Sequence, residues 1–412
     1  MAKYVFPNIP TNLITVAPNR KLELTVCIPC YNESDLKSTL HSLSQCAPID
    51  GIVEIIVLIN DSEGESESVI AQNQKSYEDC SQVSYESSEL NLCIVPIYVT
   101  KIRAKKAGVG YARRLAMDEA NQRFEIIGRE RGIIVCLDAD TIVSKNYLTE
   151  IVRFFKDYPK LTACSIAFAH ELNVPNLKIK SAICDYESHL RYFINMQRLI
   201  GLPFAYQTVG SAMAVSSESY LKLGRMNTRK AGEDFYFLHK FVKNDLVGEL
   251  NTACVYPSAR VSDRVPFGTG KAVGDILKST HSYLTYNVKS FDDIDKLIKI
   301  LPAIHSEKEN YLSGLSASLN NYLNQENFTE KIIEIKSNTT SYLSFEKRFF
   351  QWFDAFRLMK CLHYLRDVAY PNIDVDDAML ILLDKLDIDH AGDKYEKLKR
   401  LRDYDKNANY AV

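Results

Sequence analysis

The sequence has 412 residues, of which 46% are hydrophobic and 25% charged, and its formal net charge at pH 7 is −2. This length exceeds one ordinary domain, and the composition is typical of a globular protein. The small net charge excludes a general electrostatic attraction to nucleic acid or to an anionic membrane. Any anion must therefore be bound by a local cluster of cations.

Short apolar runs alternate with helical periodicity from residue 22 to about residue 255. They predict strands at residues 24–29, 52–60, 92–99, 132–137 and 252–256, and helices at residues 34–46 and 110–127. Residues 61–91 are polar and predict a connecting segment with a poorly defined helix. Continuous apolar strands interleaved with helices indicate an α/β fold, with a mostly parallel sheet and helices on both faces. Such sheets bind ligands at the carboxyl ends of their strands.

The strand signal ends near residue 285. Beyond it, the periodicity predicts helices at residues 297–304, 311–323 and 345–365 and a last helical stretch after Ile373. We therefore expect an N-terminal extension (1–21), an α/β domain (22–289) and a helical C-terminal region (290–412).

The ten cysteines are scattered through predicted strands and helices. Cys27 and Cys30 form a C-x-x-C, but no second pair completes a zinc site, and buried free cysteine is commonly a packing residue. No apolar run is long enough to span a bilayer, and no N-terminal stretch has the pattern of a signal peptide. We therefore expect a cytoplasmic protein, and a peripheral position at the inner membrane surface stays open.

Two carboxylates follow the predicted strand at residues 132–137. Asp138 and Asp140 are separated by one residue, and in an extended chain the side chains at positions i and i+2 point the same way. Mg²⁺ and Mn²⁺ take oxygen ligands, commonly one or two carboxylates completed by substrate phosphates. The pair therefore predicts a divalent metal site. The alternative is a surface turn or a cap before a helix that starts at Tyr147.

Polar segments also follow the first two strands and precede two helices. Residues 101–106 are very basic, and the helix N-terminus after them suits a phosphate because its N–H groups are free. Gly108 and Gly110 do not form a dinucleotide-binding fingerprint, because Arg113 occupies the position of the third glycine. Residues 232–234 read Gly-Glu-Asp and precede an apolar helix.

Together these segments resemble, in order, five motifs of glycosyltransferase family 2, whose members have the GT-A fold and use nucleotide sugars. The matching segments are residues 29–33 (P-x-Y-N-E), 60–62 (D-D-x-S, with Asn60 in place of the first Asp), 108–113 (G-x-x-x-A-R), 138–140 (the metal motif) and 233–234 (the E-D pair). The resemblance covers residues of about 22–275. It implies a GT-A-like α/β fold and transfer of a sugar from a nucleotide-sugar donor.

The resemblance also implies roles for single residues. The metal would be held by Asp138 and Asp140, with Asp140 as the direct ligand. Asp234, with Glu233 beside it, would be the general base that takes the proton of the acceptor hydroxyl, and helix capping is the alternative for this pair. The residues expected to bind the donor are Pro29, Tyr31, Glu33, Asp61, Gly108, Arg113 and Asp138.

A basic, glycine-hinged loop follows the strand at residues 252–256. It is not a Walker A loop, because Val265 stands where the first glycine should be and Ala272 replaces the Ser or Thr. We expect Arg264 and Lys271 to bind the diphosphate as the loop closes and excludes water. An ordinary exposed turn is the alternative. Residues 207–213, rich in small side chains, predict a strand on the acceptor side.

The expected function is metal-dependent transfer of a hexose from a UDP- or GDP-linked donor to an acceptor hydroxyl with inversion, with Mg²⁺ or Mn²⁺ as the cofactor. The acceptor is not identified, and glycan and lipid-linked acceptors are both compatible with the sequence. A retaining transferase on the same fold is an alternative. A sugar nucleotidyltransferase would need a glycine-rich basic loop after the first strand. A non-catalytic nucleotide-sugar-binding protein should have lost one of the carboxylates, and all are present.

Overall fold

The computed structural model of the chain describes residues 12–86, 91–262, 268–306 and 312–407. The chain forms two compact units. The described residues up to 173, those at 207–274 and those from 405 onward form the first unit, and residues 174–206 and 275–404 form the second. The units are not contiguous in sequence, and the three expected domain ranges stay a prediction.

An eight-stranded sheet forms the centre of the first unit, and a two-stranded sheet lies in the second. The strands are β1 (Leu22–Cys30), β2 (Ile52–Ser62), β3 (Leu92–Ile102), β4 (Ile133–Cys136), β5 (Thr141–Val143), β6 (Ala163–Phe168), β7 (Met213–Ser216), β8 (Val247–Pro257), β9 (Leu284–Thr285) and β10 (Ile373–Asp374). The large sheet has the order β3-β2-β1-β4-β7-β6-β8-β5. Its β1–β2, β2–β3, β1–β4 and β6–β8 pairs are parallel, and its β4–β7, β6–β7 and β5–β8 pairs are antiparallel. The sheet is therefore mostly parallel, as predicted.

Helices connect and cover the strands. In the described residues they are α1 (Leu36–Ser44), α2 (Glu67–Glu86), α3 (Val109–Ile126), α4 (Tyr147–Asp157), α5 (Leu177–Leu199), α6 (Ser217–Lys222), α7 (Glu233–Val242), α8 (Thr269–Lys278), α9 (Val288–Lys299), α10 (Leu301–Ser306), α11 (Ala317–Gln325), α12 (Phe328–Ser337), α13 (Tyr342–Trp352), α14 (Ala355–Val368), α15 (Val375–Lys385) and α16 (Lys394–Asn407). Helix α3 packs on β1, β2 and β4, and α2 packs on β2 and β3. Residues 55–59 of β2 are fully buried, because both faces of the central strands are covered.

Helix α2 is much better formed than the polar sequence of residues 61–91 predicts. Its buried row consists of Asn73, Ser76, Cys80 and Val83, which recur at helical spacing. Two of these four residues are polar, so a search for apolar periodicity does not find the row. The polar members are buried because they form hydrogen bonds with loops of the candidate site, described below.

The helical second unit also differs from the prediction in detail. The single helix expected at residues 345–365 is two helices, because the Asp354 side chain accepts hydrogen bonds from the N–H groups of Phe356 and Arg357 and caps a new helix, α14. Helix α12 was not predicted, and the short β9–β10 pair places a strand beyond residue 285.

All ten cysteines are free thiols, and most of them are buried, in line with the expected packing role. Among the described helices, none combines the length and the apolar character needed to cross a membrane.

Candidate active site

The carboxyl ends of β1, β2 and β4 lie side by side, because β1 pairs in parallel with both neighbours. The loop after β4 is held in place by three hydrogen bonds. The Leu137 N–H donates to the Cys27 carbonyl (3.1 Å), the Thr39 hydroxyl donates to the Ala139 carbonyl (2.9 Å), and the Thr141 N–H donates to the Asp138 carbonyl (3.2 Å). These bonds hold the backbone that carries Asp138 and Asp140. The side chains of both remain partly exposed at the sheet edge, at 38% and 23%.

Arg113, on the first turns of α3, joins the metal motif to the E-D pair. Its Nη2 donates to Asp138 Oδ1 over 2.6 Å, and its Nη1 donates to Glu233 Oε1. The guanidinium is buried. Burial alone would lower the pKa of Arg113, but the charges of Glu233 and Asp138 outweigh it and raise the pKa above its ordinary value. Arg113 is therefore a permanent cation between two carboxylates.

Asp234 lies beside this cation. Burial, reinforced by the negative charge of Glu233, raises the pKa of Asp234 to about 7, although Arg113 opposes the shift. Gly210 packs directly against Arg113 and Asp234. A Cβ atom at this position would lie 2.8 Å from both terminal nitrogens of Arg113 and 3.0 Å from Asp234 Oδ2. The predicted strand at residues 207–213 is wrong, since β7 begins only at Met213, but the segment does approach the E-D pair.

The two carboxylates of the E-D pair are positioned by the start of α7. Gly232 precedes the helix with φ of 69°, and the Asn227 side chain donates to the Glu233 carbonyl (2.8 Å). The Glu233 carboxylate contacts Arg113, and Asp234 Oδ1 accepts from the N–H of Phe235 (2.8 Å). Glu233 therefore does more than cap the helix, which was the alternative for this pair.

A second arginine, Arg260, bridges the loop after β1 to the metal motif. Its Nη1 and Nη2 donate to the two oxygens of Glu33, the first over 2.8 Å, and Nη2 also donates to Asp140 Oδ2 over 2.9 Å. Burial alone would lower the pKa of Arg260. The hydrogen bond to Glu33 and the charge of Asp140 raise it by more, so the net shift is upward. Glu33 is buried and also accepts from the Asp35 N–H (2.8 Å). The sequence singled out the loop that contains Arg260 but not this contact.

Helix α2 ties the loop after β1 to the last residues of β2. Asn73 accepts from the Asn32 N–H (2.8 Å) and donates to the Asn60 carbonyl (2.9 Å), and Ser76 donates to the Glu33 carbonyl (3.0 Å). Asn32 adopts a left-handed conformation, with φ of 48°. The predicted donor loop is therefore held by side chains that the sequence analysis did not identify, because a polar residue on a polar helix carries no recognisable signal.

Tyr31 and Asp61 lie on the same edge. The Tyr31 hydroxyl donates to Glu65 (3.0 Å), and Asp61 Oδ1 accepts from the Lys101 N–H (2.6 Å). Beside the end of β3 is a cavity of about 350 Å³. Its lining residues are Val99, Thr100, Ile102, Arg103, Lys106 and Tyr111.

The remaining predicted donor residues lie in three places. Pro29 lies within β1, and Gly108 precedes α3. Lys271 is in the first turn of α8, so the predicted loop has become helical there. Arg264 lies outside the described residues. The donor contacts of these residues stay predictions.

The metal motif offers carboxylate oxygens, which are the ligands that Mg²⁺ and Mn²⁺ prefer. Within the described ranges no three His, Cys, Asp or Glu side chains form a group that could hold a metal ion by themselves. Asp138 and Asp140 provide two partly exposed carboxylates, and Mg²⁺ is usually bound by one or two carboxylates together with substrate phosphates. The residues therefore fit an ion whose coordination shell is completed by a bound diphosphate.

Comparison with known protein families matches the part of the chain that carries β1–β7 and Asp138 and Asp140. Residues 25–218 match the model of the family described as "Glycosyl transferase family 2". These residues are a glycosyltransferase family 2 domain. The protein is a glycosyltransferase, so the predicted enzyme class is confirmed. The mostly parallel sheet with helices packed on it confirms the predicted α/β fold.

Solved structures similar to this glycosyltransferase include those of S. aureus TarS. The TarS 1–349 complexes with UDP-GlcNAc and with UDP are 12% and 13% identical to it, with TM-scores of 0.37 and 0.38, and each alignment covers 94% of this chain and 93% of the other. A longer TarS structure is 13% identical, with a TM-score of 0.33, and covers 92% of this chain and 54% of the other. No curated protein sequence matches the glycosyltransferase.

Proposed function

We propose that this glycosyltransferase moves a sugar from a UDP- or GDP-linked donor to an acceptor hydroxyl with inversion, with a Mg²⁺ or Mn²⁺ ion bound by Asp138 and Asp140. The observation that carries the proposal is the Arg113 link between Asp138 and Glu233, next to Asp234. Through this link, Asp138, which suits the donor side, and Asp234, which suits proton transfer, both lie beside one buried cation, Arg113.

The acid–base step falls to Asp234. With a pKa of about 7, its carboxyl is partly ionised near neutral pH and still basic enough to accept a proton, which is the range that favours general base catalysis. Asp234 takes the proton of the acceptor hydroxyl as the hydroxyl oxygen bonds to the anomeric carbon. The bond between the anomeric carbon and the diphosphate oxygen breaks on the opposite face, which inverts the configuration.

The donor is bound at the edge formed by β1, β2 and β4. We expect Pro29 near the end of β1, Tyr31 and Glu33 in the loop after it and the Asp61 carboxylate near the end of β2 to bind base and ribose. Gly108 and Lys271 each lie near the N-terminus of a helix, where N–H groups suit a phosphate. When bound, the divalent ion stabilises negative charge on the departing diphosphate. Arg113 holds Asp138 in place and keeps the E-D pair beside it.

A screen of nucleotide sugars with Mn²⁺ tests this function. Binding is measured by calorimetry and slow donor hydrolysis by release of nucleoside diphosphate, with UDP- and GDP-sugars, UDP-GlcNAc among them, and then with glycan and lipid-linked acceptors. We expect one donor to bind only with metal present. If no nucleotide sugar binds with Mn²⁺, the proposal is wrong. NMR of the first product separates inversion from retention through its anomeric configuration.

A further inference from the structure

Arg260 contacts its two carboxylate partners unequally. Both of its terminal nitrogens donate to Glu33, which is buried, whereas only Nη2 reaches Asp140, whose side chain is 23% exposed. Two parallel N–H···O bonds to one carboxylate form a stronger and more rigid pair than a single bond at the edge of the site. Glu33 is therefore the anchor of Arg260, and the contact with Asp140 is the one that can be exchanged.

The exchangeable contact occupies an oxygen that the proposed metal would use. Asp140 is the direct ligand in the proposed function, and a guanidinium 2.9 Å from Asp140 Oδ2 stands where a divalent ion would bind. Two cations around one carboxylate repel each other unless further negative charge arrives. The donor diphosphate is such a charge, since it brings several anionic oxygens that arginine can bind bidentately.

We propose that Arg260 is a built-in counter-cation of Asp140, which competes with the divalent ion for this carboxylate while the donor is absent. The inference rests on the proposed function, because it takes Asp140 as the metal ligand. In the donor-free enzyme Arg260 neutralises Asp140 and disfavours a metal ion bound by protein carboxylates alone. Donor and metal then bind together, because the diphosphate supplies ligands for both cations.

This role predicts opposite effects on two affinities, whereas a merely structural salt bridge predicts none. Arg260→Gln removes the competitor and should tighten the binding of Mn²⁺ alone by roughly tenfold, by analogy with the shift of one pKa unit or more that a neighbouring charge produces at a carboxylate. The same variant should bind a nucleoside diphosphate with Mn²⁺ more weakly, because Arg260 no longer contacts the diphosphate. Arg260→Lys keeps the charge and should retain the weak affinity of the parent for Mn²⁺ alone.

The experiment titrates Mn²⁺ into the full-length chain without nucleotide and measures free Mn²⁺ by electron paramagnetic resonance. Arg153→Gln is the matched control, because Arg153 pairs with Glu150 on the surface of α4 and its side chain is 58% exposed. We expect this control to match the parent. Circular dichroism checks the fold, and Arg260→Met replaces Arg260→Gln if the latter does not fold.

The outcomes separate the two proposals. If Asp140→Asn weakens Mn²⁺ binding but neutral Arg260 variants do not tighten it, the counter-cation role is wrong and the metal site stands. Equally tight Mn²⁺ binding by Arg260→Lys and Arg260→Gln would also overturn the role, because charge would not be the cause. If Asp140→Asn binds Mn²⁺ as well as the parent does, the metal assignment in the proposed function is wrong.

Discussion

Arg113 Nη2 donates to Asp138 Oδ1 over 2.6 Å, and this contact physically joins the metal motif to the pair of carboxylates that begins α7. Its other terminal nitrogen contacts Glu233, so the same guanidinium contacts both the metal motif and the E-D pair.

Removal of the Arg113 charge should harm both stability and activity. Arg113→Met leaves the buried carboxylate of Glu233 without its partner, and breaking a buried ion pair costs about 3–5 kcal/mol of unfolding free energy. Because Arg113 lowers the pKa of Asp234, its loss should also move the pH–rate profile to higher pH. Chemical denaturation and pH–rate profiles measure the two effects. Arg153→Met should change neither, and an unshifted profile in Arg113→Met would contradict the electrostatic role.

The pH dependence of transfer should report Asp234. Since the base must be deprotonated and its pKa lies at about 7, kcat/KM should rise with pH, pass its half-maximum near 7 and level off above it. Initial rates between pH 5 and 9 at saturating Mn²⁺ measure the profile. A rate that is flat between pH 5 and 8 would show that Asp234 is not the base.

Asp234→Asn should stabilise the protein at alkaline pH. The pKa of Asp234 in the folded chain lies above the value of ~3.9 for an unfolded aspartate, so the folded state binds the proton more tightly. The stability that this proton supplies is present at acidic pH and is lost as the pH rises through about 7. Thermal melts should therefore show a higher Tm for Asp234→Asn than for the parent at pH 8, with the gap closing toward pH 4. Asp157→Asn, at the exposed end of α4, is the control, and equal melting temperatures at pH 8 would refute the prediction.

Gly210 should not tolerate a side chain. A methyl group at this position would lie 2.8 Å from the guanidinium nitrogens of Arg113, so the cation or the backbone must shift. Overpacking of this kind typically costs ~1–3 kcal/mol. We expect Gly210→Ala to lower kcat more than tenfold, because a misplacement of about 1 Å can cost ~10²-fold. Gly314→Ala, where nothing lies within 4 Å of the added atom, is the matched control.

Asn73 should act on donor affinity rather than on chemistry. Asn73→Ala removes the hydrogen bonds to the Asn32 N–H in the loop after β1 and to the Asn60 carbonyl near the end of β2, each of which contributes ~0.5–1.5 kcal/mol. We expect the Kd for the nucleotide to rise and kcat to change little, as measured by calorimetry and steady-state kinetics. Gln74→Ala, on the exposed side of the same helix, should leave both at parent values.

Much of the central fold could be predicted from the sequence, because buried parallel strands need continuous apolar runs, as in β2 and β4. Asp138 and Asp140 could be located for a related reason: they closely follow β4. Helix α2 could not be recognised, since its buried row contains Asn73 and Ser76. The division between α13 and α14 depends on a single cap at Asp354, which lies within an otherwise continuous helical pattern.

The pairing of charges in the site could not be predicted at all. Spacing along the chain does not show that Arg113 meets Glu233, which is 120 residues away, or that Arg260 meets Glu33, which is 227 residues away. Such pairs depend on which strand ends become neighbours. The family resemblance implies a donor contact for Arg113, and it gives no sign that both terminal nitrogens of this residue also contact protein carboxylates.

In the proposed function, Asp234 accepts the proton, while Asp138 and Asp140 bind the donor and its metal. The most direct test compares Asp234→Asn with the parent in one preparation, with donor binding measured by calorimetry and transfer measured by product formation, both with Mn²⁺. We expect a Kd for the donor close to that of the parent and a kcat lower by ~10²–10⁴-fold. Transfer by Asp234→Asn at the rate of the parent would show that Asp234 is not the base.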